Sequence, residues 1–461
     1  MKLDFLNGRK FLYSVFVLAE LFFVIQHLYG VSWDFMSYVL NAKHIFSGYG
    51  FFEWYRPPLV PFLIGMFSIF TFKASEFLYI VFAGFLHFYS SRKLAKKFCL
   101  NENYFYALSL SSFVLINGMN VGSELLALGL IQMFVAYLDK SFSGIFLGLS
   151  FLTRYNTIIL LPLILFQKKI KSVLISFLLF IAAVTPWFAY NYFKTGNAMY
   201  SFVSSYGLNV AFRDYYFMNF DIAHLAVVMN FLIPFFVLGL FYSIKKFNKS
   251  DWLMLLAFAL PVISYIKTPF KTPRYLFSLV LPTVYFAYKF IIRLKHKEIL
   301  IFVIILANAA SFLFVNPLYE IDDAGIYTEP LSYLGGCRLM SNAWVHINYL
   351  GREAEPYPWK ELAERKVKEG NLILLYKNVL EPSYVNDREF LEGFHIVRET
   401  DSYIILGDTV GCLEKRPFID DYLERYRENN QIIYNETIDI SNCGILFDGN
   451  LADFCKSAKV I

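Results

Sequence analysis

Two carboxylates, Asp34 and Glu124, lie beside apolar segments at positions where an acid can do chemistry. Asp34 stands among aromatic residues just past the first apolar segment, and Glu124 follows a short polar turn. A carboxylate partly shielded from water can take a proton from an attacking hydroxyl or amine, and two carboxylates together can orient an acceptor or hold a divalent cation. The structural alternative for each acid is an N-cap or first-turn position of a helix.

Five basic residues form the second candidate group. Lys267, Lys271 and Arg274 are crowded into one short segment, Arg154 interrupts an apolar stretch, and Arg56 precedes two prolines. Such cations suit a lipid phosphate, to which Arg offers two parallel hydrogen bonds. The alternatives are ion pairs with the acidic end of the chain for the three clustered cations, and snorkelling to the membrane interface for Arg154.

The composition of the 461-residue chain argues against ordinary soluble domains, because 57% of the residues are hydrophobic and only 17% are charged. Up to Val315 there are 27 Lys and Arg against 12 Asp and Glu, and from Asn316 onward 15 against 25. The basic residues of the first part fall in bursts between apolar segments rather than along one polar face, so we expect no nucleic-acid partner. Motifs for nucleotide hydrolysis or a hydrolase triad are absent from the sequence.

Apolar segments long enough to cross a bilayer recur through the first part of the chain. Nine of them are predicted as spans, at residues 11–29, 77–91, 104–118, 125–138, 173–189, 223–242, 252–266, 275–292 and 299–315. The apolar stretch from Ser143 to Phe166 has basic residues at both ends, which predicts two further short helices that turn at Arg154. The fold class predicted is therefore a polytopic α-helical membrane protein of about eleven spans.

The positive-inside tendency places the N-terminus in the cytoplasm and the end of the last span outside. With this topology 18 of the 27 basic residues lie on the inner side. The apolar segment 57–72 is then expected to lie along the outer interface or to insert halfway, because a full span there would invert every later loop. A long outer loop is predicted over residues 30–76.

Residues 316–461 are predicted to form a separate, extracytoplasmic α/β domain after a membrane domain of residues 1–315. An apolar run at 371–376, a charged helical pattern at 359–369 and an alternating pair around 395–406 are typical of a strand, a helix and a hairpin.

Four of the five cysteines, Cys337, Cys412, Cys443 and Cys455, lie in this predicted domain. An even number of cysteines outside the cell favours one or two disulfides, whose pairing is open; four free buried thiols are the alternative. The sequon at Asn435 also fits an exterior domain.

The order of these features resembles the membrane glycosyltransferases of the GT-C superfamily, which include protein O-mannosyltransferases, the aminoarabinose transferases of lipid A and archaeal relatives. The matching pieces, spread over about residues 34–282, are Trp33-Asp34, Arg56-Pro-Pro-Leu-Val-Pro61, Ser123-Glu124-Leu125, Leu152-Thr-Arg-Tyr155, Pro186-Trp187 with Asn191-Tyr192 and Gly196-Asn197, and Lys271-Thr-Pro-Arg-Tyr-Leu276. Where the family often has an acidic pair in the first loop, this chain has Asp34-Phe35.

The resemblance implies an inverting transferase that uses a polyprenyl-phosphate sugar of the dolichyl or undecaprenyl type. It implies Asp34 as the catalytic base and Glu124 as part of the acceptor or metal site. The basic residues are implied as ligands of the lipid phosphate: Arg56, Arg154, Lys267, Lys271 and Arg274.

No cofactor is required by this interpretation, although a divalent cation fits it. The expected partners are the lipid-linked donor, the bilayer of the cell membrane, and an acceptor that is a protein, a lipid or a glycan. The alternative function is a non-enzymatic transporter or flippase of lipid-linked sugars, which is expected to carry ionisable pairs at the membrane midplane. Only Glu20 lies in the middle of a predicted span, without an evident partner. A third interpretation, a sensor or assembly protein, would make Asp34 and Arg274 replaceable.

Overall fold

A computed structural model describes residues 4–48, 52–206, 219–268, 271–311, 324–332, 334, 336–358, 360–377, 384–407 and 412–414. The described residues divide into two compact units. We call residues 4–30 and 57–311 the helical unit, and residues 31–56 together with 324–414 the sheet unit. Each unit is described by itself.

The α-helices of the described residues are α1 (Arg9–Tyr29), α2 (Trp33–Ser47), α3 (Leu59–Phe67), α4 (Phe72–Lys97), α5 (Glu102–Ser109), α6 (Ser112–Asn117), α7 (Glu124–Ala136), α8 (Ser143–Thr153), α9 (Ile170–Thr195), α10 (Tyr200–Tyr206), α11 (Ile222–Met229), α12 (Ile233–Ile244), α13 (Lys249–Lys267), α14 (Val280–Ile291), α15 (Lys297–Ala310), α16 (Ala324–Thr328), α17 (Trp344–Tyr349), α18 (Lys360–Lys368) and α19 (Arg388–Leu391). Turns of 3₁₀-helix lie at Asp4–Asn7, Tyr155–Phe166, Asn230–Leu232, Pro273–Leu279, Pro330–Ser332 and Tyr384–Asn386.

The helical unit is that of a polytopic membrane protein. Among the described residues, four helical segments are long and apolar enough to cross a bilayer: α1, α9, the segment Ile222–Ile244 that comprises α11, a 3₁₀ turn and α12, and α13. Helices α3 and α4 meet at an angle of 119° and together could form a fifth, broken span. The predicted number of eleven spans therefore stays a prediction, as does the half-inserted placement of residues 57–72.

Two apolar segments are interrupted, one of them as predicted. The segment 104–118 is divided into α5 and α6, because the side chain of Ser111 caps α6 by accepting a hydrogen bond from the Val114 backbone N–H. The stretch from Ser143 to Phe166 is broken at Arg154, as predicted, since α8 ends at Thr153. The second half is a 3₁₀-helix rather than the α-helix expected, and it contains Pro162, which has no backbone N–H to donate.

Helices α8 and α9 approach each other through two glycines spaced four residues apart. A Cβ atom at Gly144 would lie 1.8 Å from the Ser176 carbonyl oxygen, and one at Gly148 would lie 2.7 Å from the Ala183 side chain. Small residues at this spacing allow helix backbones to pack closely within membranes. The helix that ends at Arg154 is therefore held firmly against α9.

The sheet unit contains a five-stranded sheet in the order β2-β1-β3-β5-β4. The strands are β1 (Leu339–Ser341), β2 (Glu355–Pro356), β3 (Leu372–Tyr376), β4 (Ile396–Glu399) and β5 (Tyr403–Leu406). Strand β1 is parallel to β2 and β3, while β5 is antiparallel to β3 and β4. The central strand β3 is buried at every residue, as its continuous apolar run predicts. The helix predicted at 359–369 is confirmed as α18, and the predicted hairpin is confirmed as β4 and β5.

One disulfide joins Cys337 to Cys412 in the sheet unit. It links the segment before β1 to the segment after β5, where the Arg338 backbone N–H also donates to the Leu413 carbonyl oxygen. This settles one pair that the sequence left open. Cys443, Cys455 and the sequon at Asn435 lie outside the described residues.

We expect Cys337→Ser or Cys412→Ser to destabilise the sheet unit by about 2–4 kcal/mol, because the bridge closes a loop with a sequence separation of 75 residues. The measurement is thermal unfolding of the purified protein in detergent, followed with and without reductant. Cys99, a free and exposed cysteine, provides the control, since Cys99→Ser is expected to unfold at the wild-type temperature. Equal unfolding temperatures for all three variants would contradict the prediction.

Candidate functional site

Helix α2 positions Asp34 in its first turn. The helix begins at Trp33 because the Ser32 side chain accepts a hydrogen bond from the Phe35 backbone N–H, at 3.2 Å. A carboxylate in the first turn is favoured by the positive end of the helix dipole. Ser32, rather than Asp34, is therefore the N-cap of α2.

Helix α2 also packs against the C-terminal part of the sheet unit. The Trp33 ring meets the rings of Trp344 and His346 edge to face, with centroids 5.7 and 5.6 Å away. Farther along α2, the Lys43 ammonium donates to the Tyr349 carbonyl oxygen at 3.4 Å. These contacts hold α2 against α17 both near its first residue and farther along the helix. The orientation of Asp34, in the first turn of α2, therefore depends on the C-terminal part of the sheet unit.

Arg56 joins Asp34 to a second carboxylate. The Arg56 NH1 group donates to Asp34 Oδ1 at 2.9 Å, and its Nε group donates to Glu53 Oε2. The guanidinium lies over the rings of Tyr38 and Tyr55, 5.3 and 5.2 Å from their centroids. We call Asp34, Glu53 and Arg56 the loop cluster.

Glu53 is the member of the loop cluster that sequence reasoning missed. Its side chain is 2% exposed and also accepts a hydrogen bond from Ser37 Oγ at 3.3 Å. The Asn41 side chain bonds to both the backbone N–H and the carbonyl oxygen of Glu53, at 2.8 and 3.1 Å. The one local signal is the spacing of three residues between Glu53 and Arg56, which is common in surface ion pairs and therefore carries little weight.

The electrostatics of the loop cluster keep Arg56 charged. Burial alone lowers the pKa of Arg56, but the negative charges of Glu53 and Asp34 outweigh burial and hold that pKa well above its usual range. Burial also raises the pKa of Tyr55, so this phenol stays neutral. With two carboxylates and one guanidinium the formal charge is −1. Only Asp34 reaches solvent appreciably, since its side chain is 24% exposed.

A second cluster lies within the helical unit and joins two further candidates to each other. Arg154, between α8 and the following 3₁₀-helix, donates from NH1 to Glu124 Oε1 and, at 3.2 Å, to Ser123 Oγ. Glu124 begins α7 and is fully buried, whereas the Arg154 side chain is 13% exposed. We call Ser123, Glu124 and Arg154 the helix-start cluster. Its acid was predicted for an acceptor or metal site and its base for a phosphate, but their nearest charged partners are each other.

The remaining cations differ in their surroundings. Lys267 is exposed in the last turn of α13, and Arg274 lies half-buried in the 3₁₀-helix Pro273–Leu279. Lys271 is buried and donates to the Thr268 carbonyl oxygen at 2.7 Å. Burial lowers the pKa of Lys271, so an anion beside it would be stabilised by a poorly hydrated cation.

The structure also shows the surroundings of Glu20 and of the possible metal ligands. Glu20 lies in α1 against Gly84 of α4, where a Cβ atom would come within 1.8 Å of its Oε1 atom. Within the described residues, no three His, Cys, Asp or Glu side chains are grouped so that they could hold a metal ion. Glu124 is paired with Arg154, and its place in an acceptor or metal site stays a prediction.

Comparison with known proteins identifies the fold. The structure is similar to the crystal structure of ArnT from Cupriavidus metallidurans bound to undecaprenyl phosphate, with a TM-score of 0.60. The similarity covers 87% of this chain and 98% of the ArnT chain, and the two sequences are 10% identical. The apo state of the same protein gives a TM-score of 0.57 at 10% identity, over 86% and 96% of the two chains. The chain has the fold of ArnT. No family model and no curated protein sequence matches it.

The ArnT fold confirms the resemblance to the aminoarabinose transferases that the order of sequence motifs predicted. The similarity covers 98% of the ArnT chain and 87% of this chain, which is more than the helical unit alone contains. At 10% identity the comparison concerns the fold, and the roles of individual residues are argued from the two clusters.

Proposed function

We propose that this chain is an inverting glycosyltransferase that moves a sugar from a polyprenyl-phosphate donor to an acceptor at the outer face of the membrane. The observation that carries the proposal is the loop cluster, in which a partly exposed carboxylate, Asp34, is paired with the buried Arg56. It is supported by the shared fold, because ArnT has been crystallised with undecaprenyl phosphate, a lipid of the proposed class.

The proposed reaction is a direct displacement. The acceptor oxygen or nitrogen forms a bond to the anomeric carbon while its proton passes to the Asp34 carboxylate. The bond between the anomeric carbon and the phosphate oxygen breaks on the opposite face, and the electron pair leaves with the phosphate. One displacement of this kind inverts the configuration of the sugar.

Cations are proposed to stabilise the phosphate as it leaves. Three of the five N–H donors of Arg56 have protein acceptors among the described residues, which leaves two for a phosphate. Lys271 and Arg274, with the exposed Lys267, are proposed as further ligands. Arg154 has weaker support in this role, because Glu124 already compensates its charge.

The proposed setting is the cell membrane, with several spans, a cytoplasmic N-terminus and an extracytoplasmic sheet unit. The Cys337–Cys412 disulfide supports an oxidising compartment for that unit. The donor is proposed to carry a dolichyl or undecaprenyl chain, and the acceptor to be a protein, a lipid or a glycan. The proposal also includes a divalent cation as cofactor, with Glu124 in an acceptor or metal site.

The test is reconstitution of the protein with radiolabelled polyprenyl-phosphate hexose and crude membrane acceptors, with and without a chelator. We expect label to leave the lipid and appear in a product that is not extracted with the lipids. Label that crosses the vesicle membrane still attached to its lipid would instead establish a transporter. No movement of label in either assay would overturn the proposed function.

A further inference from the structure

Glu53 has no role in the reaction described so far, although it is the most deeply buried member of the loop cluster. We infer that Glu53 is a positioning residue that neutralises Arg56 and so keeps Asp34 basic enough to take a proton from the acceptor. The inference rests on the proposed function, since it assigns Glu53 to the same site.

The geometry shows why Glu53 can fix Arg56. Hydrogen bonds with Ser37 and Asn41 anchor both the side chain and the backbone of Glu53 to α2, the helix that carries Asp34. Glu53 then occupies the Nε edge of the guanidinium, which turns NH1 toward Asp34. Since the guanidinium is planar and its donors have a fixed arrangement, holding one edge sets the direction of the other.

The charges give Glu53 a second effect. A guanidinium beside an aspartate stabilises the ionised form and lowers the pKa of the acid by about 1–3 units, which makes it a weaker base. Glu53 lies on the same guanidinium and offsets this positive charge. Without Glu53, Arg56 would act on Asp34 with its whole charge, and it would also attract the phosphate of the donor more strongly.

Other titratable groups face the same region of the sheet unit. Tyr38 and Tyr55 lie against Arg56, and Lys43 lies on α2 itself. Across the packing of α2 against α17, His346 contacts Trp33, the neighbour of Asp34. Because a histidine titrates near neutral pH, the effect of Glu53 has to be measured with and without His346.

The experiment compares wild type with Glu53→Gln, which keeps an acceptor for Arg56 but removes the charge. We expect the acid limb of the pH profile of kcat/KM to move about one unit to lower pH, because Asp34 becomes a weaker base. We expect maximal kcat to fall roughly three- to tenfold. Undecaprenyl phosphate should bind several-fold more tightly, because Arg56 is no longer neutralised. The shift of the limb should persist in a His346→Gln background.

Two further variants separate this role from a merely structural one. Glu53→Asp retains the charge and should retain the wild-type acid limb whatever its turnover. Glu355→Gln removes another buried glutamate of the sheet unit, which pairs with Arg338 at 3.1 Å, and should leave both the limb and lipid binding unchanged.

An unmoved acid limb together with weaker or unchanged lipid binding in Glu53→Gln would overturn the inference. If wild-type protein transfers no sugar, the proposed function fails by itself. Binding of undecaprenyl phosphate to wild type and to Glu53→Gln then still decides whether Glu53 neutralises Arg56, because tighter binding supports this and unchanged or weaker binding contradicts it.

Discussion

Asp34→Asn is expected to lower sugar transfer by at least about 100-fold, which is the lower end of the contribution of a general base. Asparagine has nearly the shape of aspartate and still offers Oδ1 to the Arg56 NH1 group, so the loop cluster should stay assembled. It cannot accept a proton at neutral pH, so the chemical step alone should be lost. The measurement is the initial rate of label transfer at saturating donor, together with the thermal unfolding temperature.

The matched control for this variant is Asp387→Asn, also in the sheet unit. Asp387 resembles Asp34 in being ion-paired, with Lys360, and in lying at a helix start, where it caps α19. We expect Asp387→Asn to transfer sugar within about twofold of wild type, since surface ion pairs contribute little. An Asp34→Asn protein that is folded and retains more than about a third of the rate would remove Asp34 from the role of base.

Much of the local structure could be predicted because its signals are local. The continuous apolar run of β3 and the alternation of β4 and β5 each lie within a few residues. The break at Arg154 could also be predicted, because basic residues at both ends of the apolar stretch require the chain to turn back within it. By contrast, the interruption of the segment 104–118 depends on one serine that caps a helix, and serines occur in many unbroken spans.

The ion pairs between the candidate residues could not be predicted from the sequence. Asp34 and Arg56 were both singled out, but for separate roles, and their ion pair joins residues 22 positions apart. Glu124 and Arg154 are 30 positions apart and were likewise assigned to different ligands. Residue type and position relative to the membrane predict which side chains can do chemistry. They do not predict which of them compensate each other, since pairing depends on how the helices pack.

The association of α2 with the C-terminal domain is the least predictable feature. Trp33 and Trp344 are more than 300 residues apart, and no local sequence motif predicts that their rings are in contact. Their contact has a consequence for the mechanism, because the helix that carries the candidate base is packed against the domain that follows the membrane spans. We therefore expect changes in α17 to alter the position of Asp34.

Arg154→Met is expected to destabilise the helical unit by about 3–5 kcal/mol, because it leaves the fully buried Glu124 without its compensating charge. Glu124→Gln should cost less, since Arg154 is partly exposed and can reach solvent. The double variant, Arg154→Met with Glu124→Gln, removes both charges and should recover most of the lost stability. Thermal unfolding in detergent measures all three, and additive losses in the double variant would show that the two residues do not stabilise each other.

The same double variant separates packing from chemistry in the helix-start cluster. If Glu124 and Arg154 serve only to hold α7 against α8, a double variant that is again stable should transfer sugar at close to the wild-type rate. If either charge binds the acceptor or the lipid phosphate, stability should return while transfer stays at least about tenfold lower, because a charge-assisted contact contributes about 1.5–3 kcal/mol. We expect the second result for kcat/KM. Arg154 is the partly exposed member of the pair and can therefore contact a ligand. An apolar pair of similar volume can often replace a buried ion pair without loss of stability, so stability alone does not explain why the two charges are present.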